Sequence, residues 1–196
     1  PIPIRWFTPT LEVDLCGHAT MASAKILFEH FPDIAGSEIS FSSKSGILKV
    51  SKNAEDICLN FPADDPELQE MDALFAEALG ESPIEILRGT DDFLAVFKTE
   101  QQIQAMKPDF TKLAKINSRG VVISAPGNDV DFVSRCFFPQ TGVDEDPVTG
   151  SAHTMLIPYW AEQLDKIELK AHQLSARGGV LDCKLINDRV LISGKS

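Results

Sequence analysis

Positive charge is what this 196-residue sequence has least of: 18 Lys and Arg stand against 29 Asp and Glu, for a net charge of −11. That balance argues against binding to nucleic acid or to an anionic membrane surface, since both need basic patches. No run is long and apolar enough to span a bilayer and no signal-peptide pattern is visible, so the expected compartment is the cytoplasm. Cysteine is also scarce. Cys16, Cys58, Cys136 and Cys183 show no C-x-x-C spacing, so neither a zinc site nor a disulfide framework is expected. Three of them sit in strand-like runs and read as inert core residues. Cys16 differs, because it lies beside Gly17 at a predicted helix start, where thiol pKa values fall. Low-complexity sequence is absent, and 43% apolar residues suffice for one core or two small ones.

What the sequence does have is concentrated in Gly142-Val143-Asp144-Glu145-Asp146-Pro147-Val148-Thr149-Gly150-Ser151-Ala152-His153. Three acids crowd a turn punctuated by Pro147 and Gly150, and an amphipathic segment follows from Ala152 to Leu164. This pattern predicts a helix N-terminus capped by Thr149 or Ser151. A helix start beside a glycine leaves backbone N–H groups free to hold an anion. Acids next to such a nest are out of place unless one of them handles protons.

The same construction occurs earlier in the chain. Arg5-Trp6-Phe7-Thr8-Pro9 recurs as Arg135-Cys136-Phe137-Phe138-Pro139, an R-x-F-x-P frame repeated at an offset of 135 − 5 = 130 residues. Acids follow each frame (Glu12 and Asp14; Asp144, Glu145 and Asp146). Then come a glycine with small neighbours (Gly17; Gly150) and an apolar helix. Such a repeat predicts two similar lobes whose helix starts face each other. His18 directly follows Gly17, where the helix dipole disfavours a cation, so its imidazole is expected to be neutral and able to accept and donate a proton. Asp146 occupies the comparable turn of the second lobe. If the lobes face each other, His18 and Asp146 line one cleft; the alternative is a structural histidine and a capping aspartate.

Between these motifs, Ile2–Phe7 reads as a strand, followed by a turn at Thr8-Pro9, and Ala19–Phe31 as a helix buried nearly all round. Residues 38–41, 47–51 and 57–61 alternate as an antiparallel meander, with one turn at Asn53-Ala54-Glu55-Asp56. Pro62-Ala63-Asp64-Asp65-Pro66 marks a break, giving lobes 1–63 and 64–196. Asp65 is expected to cap a helix ending at Gly80, and Thr99 with Gln102 to open another as a capping box. Strands follow at 84–87, 93–97, 121–125 and 130–138, then at 167–174, 180–186 and 190–193, with Arg177-Gly178-Gly179 as a turn. The class is α+β, each lobe a mixed or antiparallel sheet around a central helix.

Three other motifs fail on their spacing. Gly194-Lys195-Ser196 lacks the upstream glycine of a phosphate loop. The acids at 144–146 lack the alternating ligands of a calcium loop. Gly150-Ser151-Ala152 is not a nucleophile elbow, which leaves Ser151 and His153 without a hydrolase role.

Taken together, Arg5-Trp6-Phe7-Thr8-Pro9…Glu12…Leu15-Cys16-Gly17-His18-Ala19-Thr20 and Gly142-Val143…Glu145-Asp146-Pro147-Val148-Thr149-Gly150-Ser151-Ala152 closely resemble the PhzF-like phenazine-biosynthesis isomerase/epimerase family, over essentially the whole chain. The resemblance implies a diaminopimelate-epimerase-like fold with the active site between two lobes. It also implies proton shuttling on a small carboxylate without a cofactor or metal, commonly in a homodimer. His18 and Asp146 match catalytic positions of the family; Gly17, Gly150 and Ser151 match substrate-binding ones. There are two departures from the family pattern. The family's main catalytic acid is a Glu in a Ser-Glu-Thr segment upstream of the first frame, and some outer strands are missing, so a fragment of a longer protein is expected. Thr149 stands where related two-cysteine racemases carry their second thiol, which removes a two-thiol mechanism. The rival expectation is a non-catalytic scaffold that binds small anions or a protein partner.

Overall fold

Period-2 alternation between residues 38 and 62 produces what it predicts. In the computed structural model, which describes residues 1–7, 12–13, 15–53 and 56–194, β1 (Ile2–Pro3), β2 (Trp6–Phe7) and β3 (Glu12–Val13) precede helix α1 (Gly17–His30) and the short α2 (Pro32–Ala35). The meander is β4 (Glu38–Ser43), β5 (Gly46–Asn53) and β6 (Asp56–Pro62), antiparallel throughout. Then come β7 (Glu67–Leu68), α3 (Ala73–Leu79), β8 (Glu85–Arg88), β9 (Asp92–Val96), α4 (Glu100–Ala105) and α5 (Phe110–Leu113). The remainder is β10 (Gly120–Pro126), β11 (Phe132–Phe138), β12 (Val143–Asp146), α6 (His153–Leu164), β13 (Glu168–Gln173), β14 (Gly179–Ile186) and β15 (Arg189–Gly194). The expected turn at Thr8-Pro9, together with Asp14, Ala54, Glu55, Lys195 and Ser196, lies outside the described residues.

One sheet runs through the described residues in the order β1-β4-β5-β6-β15-β14-β13-β11-β10-β9-β8-β7, with β12 also paired to β11. It is mixed: β1/β4, β9/β10 and β11/β13 are parallel and the other pairs antiparallel. The last strand returns to pair with β6, so the sheet continues across the expected 63/64 boundary. Strands β9 to β11 are apolar on both faces because both are covered. Val122, Phe132 and Cys136 face α6, while Val121, Ile123, Val133 and Phe137 pack against α3, α4 and α5. The Trp160 indole N–H donates to Ser124 Oγ at 2.8 Å and stacks on Phe132 at 5.8 Å, which fixes α6 against the sheet.

Helix ends follow the local chemistry, with one exception. Thr99 and Gln102 form the expected capping box, and Gly80 ends α3 with φ 78. The start of α3 was expected at Asp65, yet Asp72 caps it by accepting the Leu74 N–H at 2.9 Å. The segment before it is extended, because Glu67–Leu68 pairs with β8. The expectation that α1 is enclosed is also corrected. Only the stripe Gly17, Thr20, Ala24 and Phe28 is buried, since β5 and β6 cover one side of it, and Ile26 is half exposed. The enclosed helix is α6, buried from Met155 to Ala161.

Candidate active site

The repeated frames fold alike. In each, an arginine grips a glutamate with two parallel hydrogen bonds: Arg5 to Glu12 at 2.9 and 2.9 Å, and Arg135 to Glu145 at 2.7 and 2.9 Å. These are charge-assisted and geometrically specific contacts. Each frame then pairs antiparallel with the acidic segment after it, Trp6 opposite Val13 and Cys136 opposite Asp146. The acids 144–146 therefore lie in or at the end of a short strand rather than in a free turn. Each ladder leads toward a helix: Gly17 opens α1, and Gly150 lies in the turn just before α6.

The two helix starts touch. A Cβ built on Gly17 would lie 3.1 Å from Gly150 Cα, and one on Gly150 would lie 3.3 Å from Gly17 Cα. Glycine is required at both positions by this backbone-to-backbone approach, and Gly150 does not use a positive φ. Among the described residues, the N–H groups of Gly17, His18, Gly150 and Ser151 make no hydrogen bond; the first two lie in the first turn of α1 and the other two in the turn that precedes α6. Neither Thr149 nor Ser151 caps α6, contrary to expectation. The residue before the helix is Ala152, with no side-chain cap.

A cavity of about 580 Å³ opens over this junction, and Gly17, His18, Asp146, Gly150 and Ser151 all line it. The structure thus brings together the residues expected to act on or bind the substrate. His18 is exposed to the cavity, with Nε2 3.5 Å from Cys16 Sγ. That sulfur, as acceptor for an imidazole N–H, together with the Asp146 carboxylate, outweighs burial and raises the His18 pKa above its ordinary value. This direction is opposite to the one that the dipole of α1 alone would give.

Several residues of the site carried no sequence signal. Arg119, at the mouth of β10, binds Asp92 through Nε (2.9 Å) and Nη2, and Nη2 also donates to Ser151 Oγ at 3.2 Å. Asp92 is only 4% exposed. Asp64 accepts from the Thr90 N–H and hydroxyl on the opposite wall. Behind the junction, Gln173 is fully buried against Thr149 and the Asp146 carbonyl. His153 is buried on α6, its Nδ1 against the Thr149 carbonyl at 2.8 Å, and burial pushes its pKa down to about 4. Only the Arg119–Asp92 pairing was detectable in principle, as a cation and an acid at the starts of two apolar strands.

Gly150→Val is expected to weaken binding of a small carboxylate roughly tenfold or more and to cost about 1–3 kcal/mol of stability, as for other overpacked sites. Titration with the carboxylate, controlled by thermal melts, checks this. Equal affinities in wild type and variant would remove the anion from the junction.

Comparisons with known proteins agree with this geometry. A family model described as phenazine biosynthesis-like protein matches residues 2–196. An uncharacterized isomerase of Pseudomonas aeruginosa is 50% identical over 191 residues, which cover 97% of this chain and 73% of that protein. A phenazine biosynthesis protein of the PhzF family from Enterococcus faecalis superposes with a TM-score of 0.92 at 43% identity, covering 98% of this chain and 74% of that one. A hydroxyproline epimerase from Agrobacterium vitis shares the fold at 10% identity and a TM-score of 0.66, over 98% of this chain and 67% of that one. The α+β architecture is therefore that of the epimerase-like folds. Among the described residues, no helix is long and apolar enough to cross a membrane.

Proposed function

The chain belongs to the phenazine biosynthesis-like family, and on that premise we propose that it is an isomerase that moves a proton on a small carboxylate. The observation that carries this reading is the junction itself. The start of α1 at Gly17 meets the turn before α6 at Gly150 beneath a cavity that His18 and Asp146 also line. The N–H groups of Gly17, His18, Gly150 and Ser151 would hold the substrate carboxylate. Charge that builds on that carboxylate as the neighbouring carbon loses its proton would fall on the same N–H groups, so binding strengthens toward the transition state. His18 and Asp146 would orient the substrate or relay the proton, together with the glutamate that the family resemblance places upstream.

Incubating the protein in deuterium oxide with a panel of aromatic and amino-acid-like carboxylates is the test. Mass spectrometry is expected to show deuterium at a single carbon of at least one of them. A protein that binds such anions yet exchanges none, with the upstream segment present, would be the non-catalytic scaffold.

A further inference from the structure

Asp146 is not held by its own strand alone. Its carboxylate Oδ2 lies 2.5 Å from Thr149 Oγ1, and Thr149 is in turn gripped by Gln173, the last residue of β13. The Gln173 side chain is fully buried, so both ends of its amide need partners. Its Oε1 accepts the Thr149 backbone N–H at 2.7 Å; its Nε2 donates to the Asp146 carbonyl at 2.8 Å and to Thr149 Oγ1 at 3.2 Å. The orientation of the amide is dictated, because a backbone N–H can only donate and a carbonyl can only accept. Thr149 Oγ1 already accepts a hydrogen bond from Gln173, so its own hydrogen is available to Asp146 Oδ2 at 2.5 Å, with the Cys136 thiol as the other neighbour of that hydroxyl.

A second buried group pins the other end of the same peptide. His153 is fully buried, and its Nδ1 faces the Thr149 carbonyl at 2.8 Å. Since that carbonyl accepts, Nδ1 carries the hydrogen. Both polar ends of the Thr149 backbone are therefore fixed by side chains from β13 and α6. Oδ1 of Asp146 has no hydrogen bond among the described residues, and Asp146 lines the cavity.

We propose that Thr149, held by Gln173 and His153, is a positioning residue that orients the Asp146 carboxylate and leaves its Oδ1 as the one oxygen offered to the ligand. This rests on the functional reading above only in taking Asp146 as a group that meets the substrate. The threonine at the position of a racemase's second thiol thus serves the neighbouring carboxylate instead. Other groups also face Asp146: His18 from α1 with Cys16 beside it, and the buried Cys136 thiol from β11. Arg119 and Glu12 stand on the cavity wall, and Glu145, next on β12, is committed to Arg135. None of these donates to Oδ2 among the described residues.

The test needs no substrate. The side-chain carboxyl carbon of Asp146 can be observed by carbon-13 NMR at a single pH, with Asp146→Asn assigning the resonance. Thr149→Val is expected to move that resonance, because the carboxylate loses its hydrogen bond from the hydroxyl. Thr149→Ser, which keeps the hydroxyl, is expected to return it to the wild-type value. Should Thr149→Val fail to fold, Thr149→Ala makes the same comparison. An unchanged resonance in the hydroxyl-free variant, or an equal displacement in Thr149→Ser, overturns the proposal. Deuterium exchange is a separate readout, so loss of either reading leaves the other standing.

Discussion

Replacing His18 by alanine is expected to lower turnover by about 10²–10⁴-fold on whichever carboxylate the deuterium screen identifies, the usual contribution of a proton-transfer residue. His18 is exposed at the start of α1 and packs into no core, so the melting temperature should barely move. The direction of its pKa adds a second outcome. Cys16, the largest influence, and Asp146 favour the imidazolium, so the protonated form persists to a higher pH than in a free imidazole. If the imidazolium is the active form, rate falls on the alkaline side as pH rises through that elevated pKa. Removing the sulfur in Cys16→Ala should move this limb to lower pH, because the stabilising acceptor is gone. Turnover by His18→Ala within a few fold of wild type would end the assignment of His18 as a proton-handling group.

Arg119→Met is expected to destabilise the protein by about 3–5 kcal/mol, the cost of leaving a buried charge without its partner. Asp92 is almost wholly buried, and Arg119 is the cation that satisfies it, through two hydrogen bonds. The double variant Asp92→Leu with Arg119→Met should recover most of that loss, since an apolar pair removes the desolvation penalty along with the attraction. Urea unfolding of the three proteins measures both changes. A loss below about 1 kcal/mol in the single variant would mean that the pair behaves as a surface ion pair. The double variant also separates stability from function: once folded, it lacks the donor to Ser151 Oγ, and any remaining loss of carboxylate affinity belongs to that contact.

The candidate site was legible because its signals are short. Gly17-His18 and Asp146…Gly150-Ser151 are compact motifs in a repeated frame, and the frame itself predicted that they would meet. What the residues do there was less legible. Gly150 reads in the sequence as part of an anion-holding helix start; that it must also make room for the backbone of Gly17 appears only in the fold. The neutrality expected of His18 rested on one helix dipole, whereas its pKa follows Cys16 and a carboxylate from the other half of the repeat. Thr149 reads as a cap because it precedes a helix; its hydroxyl is drawn instead to Asp146 and Gln173.

By itself the sequence determined what acts over a few residues. The meander, the Thr99–Gln102 capping box, the end of α3 at Gly80 and the repeated Arg–Glu frames follow from alternation, side-chain reach and turn chemistry. Only the tertiary structure decided which helix is enclosed, where α3 begins, and which side chains surround the junction. Arg119 finds Asp92 across 27 residues, and Gln173 finds Asp146 across another 27. Sheet order sets such meetings, by bringing β13 beside β11 and β10 beside β9, and no local pattern encodes them. Desolvation then makes those long-range partners obligatory, since a buried carboxylate or amide must be satisfied by whatever the fold places next to it.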